Sequence, residues 1–197
     1  MPTIEVIVEG DGDRDAIPIL MRTRLAALEI FDVDIGRPIN AKGRGNLLRE
    51  GQLERWLQLA ALRDDVCGIL VVCDTEGDPA CDLGPALARR GAAAVPPVLV
   101  RLTLAVRQFE NWIVASGEST NEEAQDENQD FEALPATEII RRWRAPRSYV
   151  KPIHQPRYAA RIDHVIAARR CRSFARLLRC IDELARECSS AADGDEA

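Results

Sequence analysis

The chain has 197 residues, with 26 Lys and Arg residues, 32 Asp and Glu residues and six cysteines. This length suits one ordinary domain with a small appendage and is enough to bury a hydrophobic core. No apolar run approaches the roughly 18 to 20 residues that a membrane span needs, and the N-terminal residues MPTIEVIVEG enter a strand pattern directly instead of a basic and apolar leader. We therefore expect neither a membrane protein nor a secreted one.

The cysteines bear on the cellular compartment. They form no CxxC pair, and three of them lie in strongly apolar or helical contexts. Reduced thiols fit this pattern better than a disulfide framework or a zinc site does. We therefore predict a cytoplasmic protein.

The first half of the chain alternates strand and helix patterns. Residues 3–8 (TIEVIV) predict a strand, and residues 13–29 place apolar side chains at spacings of three and four, which predicts an amphipathic helix. Residues 31–39 predict a second strand, and a glycine-broken loop precedes a helix that carries Leu53 to Ala60. The apolar run of residues 67–73 (CGILVVC) is typical of a strand covered on both faces and predicts the centre of the sheet.

One more strand follows this centre. We predict a short helix to about Arg90, a strand over residues 97–103 and a helix from Val106 to Ser116. Strands that alternate with helices predict an α/β fold with a mainly parallel sheet flanked by helices. Residues 1–116 are assigned to this core.

The rest of the chain predicts an acidic segment and then helices. Residues 117–136 contain few apolar side chains and predict a mobile loop or insertion. Helical patterns over 137–143, about 157–170 and 173–187, with Ser173 as the N-cap of the last, predict a helical extension. We expect this extension, residues 137–197, to pack on the core and to end in a disordered acidic tail from about residue 189.

Charge is segregated along the second half of the chain. Residues 118–138 hold eight acids and no basic residue, whereas residues 141–180 hold twelve Arg or Lys residues and one acid. Such a basic stretch is typical of a protein that meets a polyanion through one face, and equally of a solvated, Arg-rich helix surface. On the first reading, the candidate nucleic-acid contacts are Arg141, Arg142, Arg144, Arg147, Arg169, Arg170 and Arg172.

Two clusters of acids follow predicted strands. Glu9 and Asp13 come directly after the first strand, and Asp74, Glu76 and Asp78 come directly after the central strand. If the two strands are neighbours, these like charges face one another, which is unfavourable unless a cation neutralises them. Hard oxygen ligands favour Mg²⁺ or Mn²⁺. The alternative is that Asp and Gly simply form turns after strands.

The sequence does not match other motifs that bind or hydrolyse phosphates. After the first strand, Asp15 stands where the third glycine of a dinucleotide fingerprint belongs, and the Gly-Lys-Ser/Thr element of a P-loop is absent from the sequence. A phosphatase using Asp74 as nucleophile would normally carry Asp where Glu76 stands. We therefore prefer a metal site to these alternatives.

The residues VEG, followed by a distant apolar strand that ends in an acidic D-x-D-type motif, resemble the Toprim domain of topoisomerases, primases, small ribonucleases and overcoming-lysogenization-defect nucleases. The resemblance covers about residues 3–103, with Glu9 in the place of the invariant Toprim glutamate and Asp74-x-Glu76-x-Asp78 in the place of the acidic motif. Over most of the chain, phrases such as VEGDGDRDAIPILMRTRL, LVVCDTEGDP, FENWIVAS and YVKPIHQPRYAARID resemble a bacterial domain-of-unknown-function family of small stand-alone Toprim-like proteins.

The resemblance suggests roles for two further residues. Glu110 would point at the site from a helix start, and Lys151, expected in a proline-rich loop, would reach a phosphate or a leaving oxygen, as in nuclease-type Toprim proteins. A surface glutamate and an ordinary exposed lysine are the alternatives. His154 and His164 are expected to be surface histidines rather than catalytic ones.

Together these features predict a metal-dependent nuclease that acts on DNA, with RNA as the less favoured substrate. Glu9, Asp13, Asp74, Glu76, Asp78 and Glu110 are the candidate metal ligands, and Glu9, Asp74 and Lys151 the candidate catalytic residues. Neither tyrosine lies in a recognisable strand-passage domain, which disfavours a topoisomerase. The alternative is a non-catalytic or partner-dependent Toprim-like subunit of an ATPase-containing complex, suggested by the coupling of nuclease-type Toprim members to ATPase domains.

Overall fold

The computed structural model describes residues 1–121, 123 and 126–194, and side chains as far as residue 190. The strands are β1 (Thr3–Val8), β2 (Asp34–Ile35), β3 (Ile39–Asn40), β4 (Val66–Asp74) and β5 (Leu99–Ala105). The helices are α1 (Asp11–Ala27), α2 (Arg44–Leu48), α3 (Gln52–Ala61), α4 (Ala80–Ala94), α5 (Glu110–Ala115), α6 (Gly117–Asn121), α7 (Ala136–Arg144), α8 (Lys151–Ala159), α9 (His164–Arg170) and α10 (Arg172–Gly194).

The strands form one parallel sheet between two helical layers. Their order is β2, β1, β4, β5, with β3 also paired to β1, and every pairing is parallel. On β4, Leu70 and Val72 face the core formed with α1, α5 and α10, whereas Ile69 and Val71 face the core formed with α3 and α4. The predicted α/β fold with a mainly parallel sheet and a helical C-terminal extension is therefore confirmed, and β4 is covered on both faces.

The region between α1 and α3 differs from its prediction. Residues 31–39 alternate like one strand, but the structure contains two short strands there, and only β3 runs past residue 39. Pairing to β1 stops between them and resumes at Ile7 and Val8. Residues 36–38, Gly-Arg-Pro, interrupt the ladder because proline has no N–H to donate.

The acidic segment contains regular structure in its described part. Its described part contains α6 and the buried ring of Phe131, which lies under the Arg170 guanidinium with 5.1 Å from ring centroid to Cζ. The Asn111 side-chain amide donates hydrogen bonds to the Phe131 and Leu134 carbonyls, at 2.7 and 3.0 Å. Glu122, Ala124 and Gln125 of the predicted loop lie outside the described residues.

The C-terminal helices also begin and end differently from their predictions. The helix predicted over about 157–170 is two helices, α8 and α9, and Asp163 caps α9 by accepting hydrogen bonds from two backbone N–H groups. Ser173 does not act as an N-cap: its hydroxyl accepts a hydrogen bond from the Trp112 indole at 2.8 Å. Helix α10 continues to Gly194, so the tail expected from residue 189 is helical as far as residue 194, and residues 195–197 lie outside the described part.

Two expectations about single side chains are wrong. Cys67 on β4 and Cys188 on α10 form a disulfide, whereas Cys73, Cys81, Cys171 and Cys180 are free thiols. His154 is buried, and its Nδ1 lies 2.8 Å from the Val150 backbone nitrogen. No helix in the described part of the chain is long and apolar enough to span a membrane.

Candidate functional site

The sheet topology brings the two acidic clusters together. From β1 the chain moves outward to β2 and then crosses to β4 on the other side of β1, so the strand order reverses between β1 and β4. In open parallel sheets, ligands bind outside the carboxyl ends of the strands at such a reversal. Glu9 follows β1 directly and Asp74 ends β4. The condition set by the sequence, that these two strands are neighbours, is confirmed.

Four acidic residues line a small cavity at this edge of the sheet: Glu9, Asp11, Asp13 and Asp74. The cavity has a volume of about 260 Å³, and its lining includes Glu9, Asp13, Asp74, Lys151 and Gln155. Glu9 Oε2 accepts a hydrogen bond from the Asp74 backbone N–H at 3.2 Å, which ties the two strand ends together. Asp74 Oδ1 accepts one from the Phe109 N–H at 2.9 Å, which aims this side chain along the sheet edge.

Burial and mutual repulsion favour the protonated form of the carboxyl groups in this cavity. Burial, together with the charge of Glu9, raises the pKa of Asp13 from 3.8 to about 7 even though Lys151 opposes the shift. Burial and the charges of Asp13 and Glu9 raise the pKa of Asp74 well above its ordinary value, and burial raises that of Glu9. These carboxyls therefore hold protons more strongly than free ones do, or gain from a bound cation.

Lys151 is held beside the carboxylates by Glu110. Glu110 is fully buried and accepts hydrogen bonds from Tyr149 Oη at 2.9 Å, Lys151 Nζ at 3.2 Å and Gln155 Nε2 at 3.3 Å. Burial alone would lower the pKa of Lys151, but the charges of Glu110, Asp74 and Asp13 raise it. Lys151 is therefore a positively charged group whose Nζ is held in place by Glu110. The rest of the side chain remains accessible, since 46% of it is exposed.

The position of Lys151 differs from the predicted loop. It begins α8, and the extended backbone of Val150 precedes it. Gly12 lets α1 approach this helix closely, because a Cβ at residue 12 would lie 1.5 Å from Gln155 Oε1 and 3.3 Å from Lys151 Cβ. Gln155 Oε1 is buried and has no hydrogen-bond partner among the described residues.

The second and third acids of the D-x-E-x-D motif do not line the cavity, although the charge of Glu76 contributes to the raised pKa of Glu9. Glu76 is exposed on a turn, where its backbone has a φ of 52°. Asp78 forms an ion pair with Arg44, and Arg44 Nε also donates to the Asp74 carbonyl at 3.1 Å. The structure therefore brings together Glu9, Asp13 and Asp74 and leaves Glu76 and Asp78 at the rim.

The sequence pattern does not predict a role for three residues beside the site: Arg44, Tyr149 and Gln155. Arg44 lay in a segment that its glycines marked only as a loop. Tyr149 and Gln155 stand within the phrase YVKPIHQ that carried the family resemblance, but nothing in their type or spacing indicated a common contact with Glu110. Such contacts depend on how α8 packs against α5, which a local pattern does not encode.

The predicted nucleic-acid contacts fall into two groups. Arg141, Arg142 and Arg172 are exposed, and Arg144 and Arg147 line a surface cavity. Arg169 instead pairs with Glu127. Arg170 is only 5% exposed and binds both carboxylate oxygens of Glu118, at 2.7 and 2.8 Å, so it is not available to a polyanion and its prediction is corrected.

The donor set matches a hard divalent cation in chemistry. Carboxylate oxygens are the preferred ligands of Mg²⁺ and Mn²⁺. The raised pKa values show that the ionised carboxylates are unfavourable in this cavity, first because they are buried and then because they repel one another. Within residues 1–121, 123 and 126–194, however, no three His, Cys, Asp or Glu side chains are arranged to hold a metal ion.

Comparisons with family models, with curated proteins and with solved structures give no match to this chain. The function is therefore derived from the residues and their geometry.

Proposed function

We propose that this protein is a metal-dependent nuclease with a Toprim-like core. The nuclease would hydrolyse the phosphodiester bonds of DNA in preference to those of RNA. The observation that carries the proposal is the group of carboxylates Glu9, Asp13 and Asp74 at the strand reversal, with pKa values raised by burial and mutual repulsion. A cation relieves this repulsion, and the crevice is where parallel α/β folds bind ligands. We propose a role in phage defence or repair for such an activity. The cytoplasmic location predicted from the sequence loses its support from the cysteines, because Cys67 and Cys188 form a disulfide.

Each side chain has a distinct role in this proposal. Glu9, Asp13 and Asp74 would hold Mg²⁺ or Mn²⁺, which would supply an activated water and stabilise the leaving oxygen. Lys151 would neutralise the scissile phosphate, because its ammonium group lies at the cavity and remains charged. Glu110 is a positioning residue, since it is fully buried and anchors Lys151. Arg44 holds Asp78 outside the set of ligands.

The proposal is tested by incubating the purified protein with supercoiled plasmid and with single-stranded DNA in Mg²⁺, Mn²⁺ or EDTA. We expect cleavage that requires the metal and that is lost in Glu9→Gln and Asp74→Asn. Asp15→Asn is the matched control, because Asp15 is an exposed acid on α1 whose ion pair is with its neighbour Arg14. Cleavage that persists in EDTA, or in both site variants, would refute the metal site.

The alternative function is a subunit that depends on a partner, such as an ATPase. The observation that favours it is an apolar strip on α3, where Leu59 and Leu62 beside Trp56 are 48% and 82% exposed. Exposed apolar side chains of this kind are typical of protein contacts. If the wild-type protein fails to cleave in every metal, this reading gains and a partner should be sought by co-purification.

A further inference from the structure

A second cavity is lined by a different face of α8 from the face that lines the carboxylate cavity. Its volume is about 560 Å³, within the roughly 300 to 1,000 Å³ of pockets that hold a small ligand. The end of α7, the segment after it and α8 form its walls. Four guanidinium groups and two aromatic rings line it: Arg144, Arg147, Arg157, Arg161, Trp143 and Tyr158.

These four arginines are not paired with acidic side chains among the described residues. None of the four forms an ion pair in the part of the chain that the structure describes, and the side-chain hydrogen bond found there runs from Arg144 Nε to the Ser148 carbonyl at 3.1 Å. Arginines elsewhere do bind acids, as in the pairs Arg24–Asp182, Arg63–Glu5, Arg90–Glu54, Arg101–Glu183, Arg169–Glu127 and Arg170–Glu118. The cavity therefore concentrates positive charge that has no acidic partner among the residues described.

We propose that this cavity binds one nucleotide of a single strand, with its phosphate on the arginines and its base against the Trp143 ring. Guanidinium groups match phosphate oxygens in geometry and charge, and aromatic walls stack bases without regard to their sequence. The volume of about 560 Å³ suits one nucleotide, so we expect a single strand to bind in preference to a duplex. The strand would continue from this cavity toward the carboxylates, and this path rests on the proposed nuclease function.

Helix α8 contributes side chains to both sites. Lys151 and Gln155 line the carboxylate cavity, whereas Arg157 and Tyr158 line the arginine cavity. Because residues three apart on a helix are neighbours, Gln155 and Tyr158 connect the two cavities along the surface of this helix. One strand could therefore occupy the arginine cavity and reach the carboxylates at the same time.

The test measures binding without cleavage. A fluorescein-labelled 12-nucleotide single-stranded DNA is titrated in EDTA, by anisotropy, with wild type and with the double variant Arg157→Gln and Arg161→Gln. The matched control removes the same charge from the opposite face, as Arg55→Gln with Arg89→Gln on α3 and α4, where both side chains are exposed. Thermal melting confirms that each variant is folded, and Arg147→Gln serves as a second cavity variant.

We expect the cavity double variant to bind about tenfold or more weakly at low salt, with a salt slope reduced in magnitude by about 1.4 for two lost phosphate contacts, while the control changes little. Equal losses in the cavity variant and the control would overturn the inference, as would stronger binding of a duplex of the same sequence. Competition by inorganic phosphate as effective as that by a mononucleotide would refute a nucleotide site. Because metal is absent, cavity-dependent binding supports the inference even if the cleavage assay fails.

Discussion

Replacing Asp13 with asparagine should stabilise the protein at pH 8, although the residue lies in the candidate site. Burial and the neighbouring carboxylates raise the pKa of Asp13 from 3.8 to about 7, so ionising it costs free energy in the folded state. At about 1.4 kcal/mol per tenfold change in proton affinity, the full shift corresponds to roughly 4 kcal/mol. Because Asp74 and Glu9 titrate together with Asp13 and share the repulsion, we expect a gain of about 1 to 3 kcal/mol.

The sign of the pH dependence follows from proton binding. Between pH 3.8 and about 7 the folded protein holds a proton on Asp13 that the unfolded chain has released, so the stability of the wild type falls as pH rises through this window. Asparagine cannot ionise and removes this loss. The advantage of Asp13→Asn should therefore be nearly complete at pH 8 and close to zero at pH 4.

Urea denaturation at pH 4 and pH 8, without metal and with EDTA, measures this difference. Asp15→Asn is the matched control because it makes the same change on an exposed side chain of α1. A variant at residue 13 that is less stable than the wild type at pH 8 would refute the charge repulsion. A gain of equal size at both pH values would show that packing, not ionisation, is responsible.

Three further outcomes are expected. Mg²⁺ at about 100 times its Kd should stabilise the wild type by about 2.7 kcal/mol at pH 8 but not Asp13→Asn, and equal stabilisation of both in a thermal melt would contradict the ligand set. Gly12→Ala should cost about 1 to 3 kcal/mol in urea denaturation because its Cβ would lie 1.5 Å from Gln155 Oε1, and an unchanged midpoint would show that α8 yields easily. Arg170→Gln should cost about 2 kcal/mol by the same measurement because it removes both hydrogen bonds to Glu118, and a loss below about 0.5 kcal/mol would place Arg170 in solvent.

The sheet was predictable because its signals are local. The alternation of residues 3–8 and the apolar run of residues 67–73 predicted β1 and β4 to within one residue at each end. Residues 97–103 predicted β5 less closely, since the strand runs from Leu99 to Ala105. The acids that follow two of these strands were also visible, because in a parallel sheet the carboxyl ends of all strands share one edge.

The contacts that shape the site were not predictable, because they join distant parts of the chain. Lys151 starts a helix in a segment whose prolines resemble a loop, and proline is compatible with the first turn of a helix, where its missing N–H costs nothing. The start of α10 is likewise stabilised from outside, since Glu132 accepts the Ser173 N–H at 2.7 Å across 41 residues. Local periodicity contains no information on either contact.

The sequence shows how many charged residues each segment contains, but it does not show which arginines form ion pairs with acids. The acidic segment neutralises part of the basic stretch, because Glu118 and Glu127 bind Arg170 and Arg169. One cavity is lined by Arg144, Arg147, Arg157 and Arg161, which form no ion pair with the described residues, and another is lined by the carboxylates at the strand reversal. A phosphodiester strand needs both kinds of surface, cations along its backbone and a metal-binding pocket at the reacting bond. Because α8 contributes side chains to each, its position sets their separation, and a change that moves α8, such as Gly12→Ala, should disturb cleavage and strand binding together.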